Sequence, residues 1–568
     1  MWWMDASEQQ HRSASAVIVA SSKDDEHEND RTRMTYDLAT MAAARSKQQQ
    51  QQKQKNEPTA HEDGIGLAAD EECCLAGAEG LINALLVRRI FLGDGSHETP
   101  LHGGIVVDTQ GIIRRVLRSA QEVNTYLYNI ESEAVYDFGD LVLMPGFIDA
   151  NVHINEPGRK DWEGFVTATK AAAAGGFTTI VDRPANASPP TTSVANLKSK
   201  TNTARGKIYV DVGFWGGIVP GNRDQLAPLL AAGVLGLQCT LFGSAPPVGE
   251  EFAAVDEAQL EEALQRLEAE NEDEGVIAVH AELPLPVDIP TDEEASREYA
   301  SFLVTRPPSM EVSAMQLLSR LAQRYPRRRL HALNVSSAEA LAPAEACQRA
   351  GGQLTVGTCP HYLALSAEEV PKCGTEFKTW PPIRESSNQE RLWRALRPGG
   401  TIQMIASDHS PATPGLRCLT GGRGRGNFLK AWPGINSLQL SLPAVWTALG
   451  GGGGTSDDLS LSLADLHRLM CWQPAQLCGL GRFKGRIAEG YDGDFCIWSP
   501  EEEFTAIPEE LYTATKATPY AGRRLRGVVH ATVVRGLHVY QMFEGFGQPL
   551  GKVLLRKSSR KVVKFVRM

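Results

Sequence analysis

Asn151 and His153 lie just beyond an apolar run, Leu141 to Ile148, that breaks off at Asp149. On an extended segment residues two apart point the same way, so an amide and an imidazole leave the end of one strand together. An imidazole is a good metal ligand, whereas an asparagine beside it offers only a neutral amide oxygen, a poor donor for zinc. His280 and Glu282, in Val279-His280-Ala281-Glu282, repeat the two-residue spacing, with the carboxylate as an acceptor that orients the ring N–H or as a solvated acid. A third cluster is Ser407-Asp408-His409-Ser410-Pro411. Imidazoles and carboxylates are the donor types from which the three-plus-one ligand set of a catalytic zinc is built. Taken singly, His153, His280 and Asp408 are each more often hydrogen-bonded polar residues than ligands.

These residues need strands to carry them. Residues 144–186 read as one βαβ unit. Trp162, Phe165, Thr169 and Ala171–Ala174 mark a helix, Gly175-Gly176 ends it, and Phe177–Asp182 is the next strand. Strand-like runs recur at 208–218, 234–242, 275–282, 329–337, 354–363 and 402–410, with helix-like segments between them. That alternation predicts a parallel (β/α)₈ barrel over 145–480, with its functional mouth at the C-terminal ends of the strands. Short strands at 84–144 and 481–545 predict a small β-sandwich built from both flanks, followed by a basic tail at 546–568. Residues 1–75, which carry the Gln48–Gln52 tract, read as a disordered extension. Gly421–Gly426 contains a glycine fingerprint that neither follows a strand nor opens a helix, so it reads as a loop, and Gly450–Gly454 reads as a linker.

The formal charge of −11 argues against a phosphate-tracking surface, and hence against a nucleic-acid partner. No apolar segment reaches the ~18 residues of a membrane span. Ten cysteines without a C-x-x-C pair suit reduced thiols in an intracellular, cytoplasmic protein.

Residues 144–186, together with VHAE (279–282), TCPHYLALSAEEVP (358–371), FKTWPPIRESSNQERLW (377–393), SDHSPATP (407–414) and NFLKAWPGINSLQ (427–439), resemble the allantoinases, a branch of the cyclic amidohydrolases. The resemblance runs from about residue 84 to 541. It implies a barrel mouth with two zinc ions held by a His-x-His pair, a bridging carboxylated lysine, two further histidines and an aspartate. The implied chemistry is attack of a metal-held hydroxide on the ring amide of allantoin, giving allantoate, with the aspartate moving the proton. A homo-oligomer, tetramer or dimer, and a small ureide as the partner molecule are implied as well.

Carried over by position, His153, His280 and Asp408 keep the family's ligands, and Asp408 is the implied catalytic base. Asn151, Gln238 and Asn334 stand where a histidine, the lysine and a histidine belong. Two Zn²⁺ ions ~3.5–4 Å apart repel by roughly 17–19 kcal/mol even at an effective dielectric of about 20, and a glutamine cannot supply the bridging anion. Zero or one zinc is therefore the expectation. Arg159, Arg384 and Asn436 are candidate substrate anchors. Glu282, His361 and His409 are candidate partners of the ligands, or packing residues. Three readings stay open: an allantoinase-type enzyme, a non-catalytic scaffold or partner of an active subunit, and a one-metal hydrolase of a related hydantoin or ureide.

Overall fold

The computed structural model describes residues 83–567 except 96–98, 130–133, 245–247, 271–274, 423, 449, 451–459, 461 and 558–563. The extension expected at 1–75 and nearly all of the Gly450–Gly454 run lie outside the described residues. The strands of the first flank are β1 (Asn83–Ile90), β2 (Leu101–Val107), β3 (Ile113–Leu117), β4 (Ala134–Asp137) and β5 (Val142–Pro145). The barrel follows with β6 (Phe147–Val152), β7 (Phe177–Asp182), β8 (Asp211–Gly217), β9 (Gly236–Thr240), β10 (Val276–His280), β11 (Arg329–Leu333), β12 (Leu354–Thr358) and β13 (Met404–Ile405). The second flank adds β14 (Phe495–Thr505), β15 (Arg524–Val534), β16 (Leu537–Gln541) and β17 (Gly545–Phe546).

Strands β6 to β13 pair in sequence order and all in parallel, the pattern demanded by helical crossovers between successive strands. The ring closes beyond β13, where His409 bridges to Val152 in parallel and the His153 N–H donates to the His409 carbonyl at 2.8 Å. Both faces of such strands are covered, so they are apolar along their length: every residue of β6, β7 and β8 is buried. Asn151 and Asp182 stand at the C-terminal ends of β6 and β7, whereas the one acid of β8, Asp211, stands at its start.

The apolar run Leu141–Ile148 is shared between two sheets, where its composition suggests one strand. Val142–Pro145 pairs with β1 and β14, and the barrel strand starts at Phe147. The break falls at Gly146, where an added Cβ would lie 2.1 Å from Thr178 Oγ1. The first barrel strand then continues through Asn151 to Val152, which puts His153 one residue past its end.

The flanks meet in one nine-stranded sheet of order β17-β16-β15-β14-β5-β1-β2-β3, with β4 also on β1. Leu85, Ile105, Ile113, Leu143, Ile497 and Val533, from both flanks, share one apolar core. Helix Phe165–Ala174 ties this sheet to the barrel. Its C-terminal Gly176, at φ +83°, lies so close to the sheet that a Cβ would come within 2.6 Å of Cys496 Sγ. Within the basic tail, Val553–Lys557 forms β18, which pairs in parallel with the start of β8. The described part of Gly421–Gly426 is turn and bend between elements. No helix among the described residues is long and apolar enough to cross a membrane.

Candidate active site at the barrel mouth

The six positions that the resemblance assigns to metal ligation come from five strands, Asn151 and His153 sharing the end of β6, and barrel closure collects them at the mouth. Asp408 is central. Its Oδ1 accepts from Asn151 Nδ2 at 3.0 Å, and its Oδ2 accepts from Asn334 Nδ2 at 3.1 Å. Asn334 also donates to the Trp380 carbonyl at 2.9 Å and lies 3.5 Å from His280 Nδ1. Asn334 and Asp408 both sit at positive φ, 39° and 46°. Backbone held in that sparsely populated region needs surrounding contacts to maintain it, and these side-chain bonds supply them.

Arg183, which directly follows β7, carries the feature that sequence reasoning missed. Its Nη1 donates to Asp408 Oδ1 at 2.8 Å. With the Gln238 amide turned so that its oxygen faces the guanidinium, that oxygen accepts from Arg183 Nε at 2.9 Å and Nη2 at 3.1 Å. Asp408 and Gln238, two of the six assigned positions, thus bind a guanidinium. The backbone beneath is fixed: the Arg183 N–H donates to the Val152 carbonyl at 2.8 Å, and buried Lys200 bonds to Asp182 and to the Arg183 carbonyl. A signal was available in the sequence, since Arg183 is a cation placed just past the C-terminal end of the buried run Phe177–Asp182.

The second charge pair lies beside the first. His280 Nε2 meets Glu282 Oε2 at 2.8 Å, and Arg306 Nη2 approaches the same oxygen at 3.5 Å. Arg306 is itself buried between two rings, 3.8 Å from the Phe242 centroid and 4.0 Å from that of Trp380. Burial pushes the Glu282 carboxyl up, but Arg306 and His280 outweigh it and hold the acid below its ordinary range. Burial, reinforced by Arg183, drives the His153 imidazole well below its ordinary value, so it is neutral. Asp408 is raised by burial, against the pull of Arg183. Each carboxylate therefore already has its own cation.

Metal ions do not fit this donor set. Asn151, Gln238 and Asn334 are neutral amides, and Arg183 occupies Asp408 and Gln238. Among the described residues the only three metal-ligating side chains with donor atoms within 4.8 Å of one another are Asp211, Asp492 and Asp494, away from the mouth. His153, His280 and Asp408 do not form such a group. The aspartate trio is filled by a cation of the chain: Lys484 Nζ lies 2.9 Å from Asp211, 3.1 Å from Asp492 and in contact with Asp494, while Arg535 pairs with Asp211 at 2.6 Å.

The other residues singled out in the sequence are placed as follows. Arg159 bonds to Glu251 at 3.0 Å and to the Asn186 carbonyl at 2.9 Å, which latches two loops together. Arg384 bonds to Glu311 at 2.6 Å, to Ser336 Oγ at 3.0 Å and to the Arg306 carbonyl at 3.2 Å, inside a buried network. Asn436 donates to Thr513 Oγ1 and the Thr515 carbonyl, which anchors the segment after β14. His409 accepts at Nδ1 from the Ser437 and Leu438 N–H groups and meets Glu163 through Nε2 at 3.1 Å, so it braces the closing strand. His361 is buried edge-on against Tyr362, 4.2 Å between centroids, with neither ring nitrogen hydrogen-bonded. The cleft above Asp408 is lined by His153, Arg183, Thr240, Phe242, His280 and Trp380, among others.

A family model described as the amidohydrolase family, a class that is in general metal-dependent, matches residues 336–539. The allantoinase of Streptomyces avermitilis is 43% identical over 422 residues, which span 74% of this chain and 89% of that protein. The allantoinase of Saccharomyces cerevisiae is 38% identical over 79% of this chain and 95% of its own length. Among solved structures, the L-hydantoinase of Arthrobacter aurescens superposes with a TM-score of 0.72 at 26% identity, covering 84% of this chain and 99% of that one. Agreement this extensive, in the barrel that carries the mouth and in the sheet domain beside it, shows that the chain belongs to the allantoinase family of cyclic amidohydrolases.

Proposed function

We propose that the barrel mouth takes allantoin and that the chain is an allantoinase-type hydrolase of its ring amide, giving allantoate. The observation that carries the reading is the polar mouth above Asp408, kept at the strand ends of a chain so similar to the named allantoinases over most of its length. The residues present supply acid–base chemistry of their own. Glu282 accepts the His280 Nε2–H and holds that tautomer, which leaves Nδ1, 3.5 Å from Asn334 Nδ2, as the acceptor of a residue that lines the cleft. His280 Nδ1 takes a proton from water as the water oxygen bonds to the ring carbonyl carbon, and returns it to the ring nitrogen as the C–N bond breaks. No step runs through a metal, and the expected zinc content is zero.

Arg183 favours a second reading: a member that binds the ureide without opening it and serves as the partner of an active subunit. Incubating the purified chain with allantoin, with and without added zinc, separates the two. Allantoate formation supports the first reading, and binding by calorimetry without product supports the second. Neither binding nor product would overturn both. A cytoplasmic location and a homo-oligomer, tetramer or dimer, belong to the same proposal. The eight described cysteines, all free, support a reducing compartment, and a monomer by light scattering at micromolar concentration would refute the oligomer.

A further inference from the structure

We propose that Arg183 is the resident cation of this mouth, a guanidinium standing where the family's ligand positions would hold metal, so that the site is metal-independent. In this role its free N–H groups bind the carbonyl oxygen of a cyclic urea or amide. The ligand part rests on the ureide reading above; the metal part does not.

Three observations carry it. Arg183 bonds to both Asp408, which keeps the family's ligand, and Gln238, which stands at the bridging-lysine position. Gln238 gives Arg183 an amide oxygen that accepts two N–H bonds and adds no charge, so Arg183 and Asp408 balance one to one, and an uncarboxylated lysine there would instead repel the guanidinium. Next, the charges of the two pairs balance as they stand, Asp408 against Arg183 and Glu282 against Arg306, and a dication would bring repulsion from Arg183 with neither of these carboxylates left unpaired to receive it. Finally, a guanidinium has five N–H donors in a planar fork, of which Asp408 and Gln238 take three. Two remain on a side chain that lines the cleft. A planar donor facing a carbonyl oxygen stabilises the negative charge that builds there when the carbon is attacked, as a metal would.

The test uses the full chain purified without chelator. Elemental analysis and zinc titration calorimetry should find under about 0.1 zinc per chain and no saturable zinc heat; one or more tightly held zinc ions per chain would overturn the proposal outright. Hydantoin and allantoin binding should change less than twofold in EDTA. Arg183→Lys, which keeps the charge but loses the fork, should weaken ureide binding more than tenfold, and Arg183→Met further still, with circular dichroism confirming the fold. Binding that EDTA abolishes, or that folded Arg183→Met retains in full, would refute the role of Arg183. If neither variant folds, the zinc and EDTA measurements on the unaltered chain decide. If the unaltered chain binds no ureide, the proposed function fails, and the zinc content still decides whether the site is metal-independent.

Discussion

Restoring Asn151→His, Gln238→Lys and Asn334→His together should leave the barrel mouth without tight zinc as long as Arg183 is present. The three changes bring in the imidazoles and the carboxylatable lysine that the resemblance implies, but the guanidinium would stay bonded to Asp408. A Zn²⁺ ion ~4 Å from that charge is repelled by about 8 kcal/mol at an effective dielectric of ~20. That corresponds to roughly a 10⁶-fold loss of affinity, most of the about 10–16 kcal/mol that a good zinc site provides. Adding Arg183→Met removes the repulsion and frees both Asp408 oxygens, so the quadruple variant should bind zinc tightly where the triple does not. Competition against a chromophoric chelator, with bicarbonate present to carboxylate the lysine, measures both affinities. A triple variant that binds zinc within tenfold of the quadruple would show that Arg183 does not oppose metal, and the reasoning would fail.

Three further outcomes follow from the buried charges. Glu311 accepts from Arg384, Ser336 and Ser337 inside the wall of the barrel, so Glu311→Ala should cost about 3–5 kcal/mol in urea unfolding by leaving Arg384 bare. Lys484→Met should cost at least about 3–5 kcal/mol, because three buried aspartates would lose their shared cation, and EDTA should not alter the unfolding of the unchanged protein. Burial holds His331 and His361 at about 3 and His467 at about 4, below the ordinary 6.5. The unfolded chain then binds protons that the folded chain refuses, so the stability present above pH 6.5 is lost as pH falls toward 4 and 3. His361→Phe should remove about 2 kcal/mol of the difference between urea melts at pH 7.5 and pH 5.

Much of this protein is readable one segment at a time. Parallel strands buried on both faces must be apolar throughout, so Phe177–Asp182 and Val276–His280 stand out as runs, and the polar residue that ends each run marks the mouth. The same local pattern places Asn151, His153 and His280 at strand ends, because a strand's direction dictates where its last side chains point, whereas Gln238, Asn334 and Asp408 are singled out by the resemblance. The flanking strands announce a sheet domain for the same reason. Composition could not show that Leu141–Ile148 divides at Gly146 between two sheets, since either partner would bury those residues equally well.

Charge pairing lies outside what such periodicity can reach. Arg183 meets Asp408 across 225 residues, and Arg384 meets Glu311 across 73; neither pair has a sequence spacing that recommends it. From sequence alone Arg384 is a candidate substrate anchor and Arg183 is unremarked. Closure of the barrel reverses the two, turning Arg384 into the wall and Arg183 onto the aspartate at the mouth. The identities at the strand ends are thus local properties of the sequence. Which cation neutralises which carboxylate is decided only when the ring of strands closes, because electrostatic energy depends on distance through space and not along the chain.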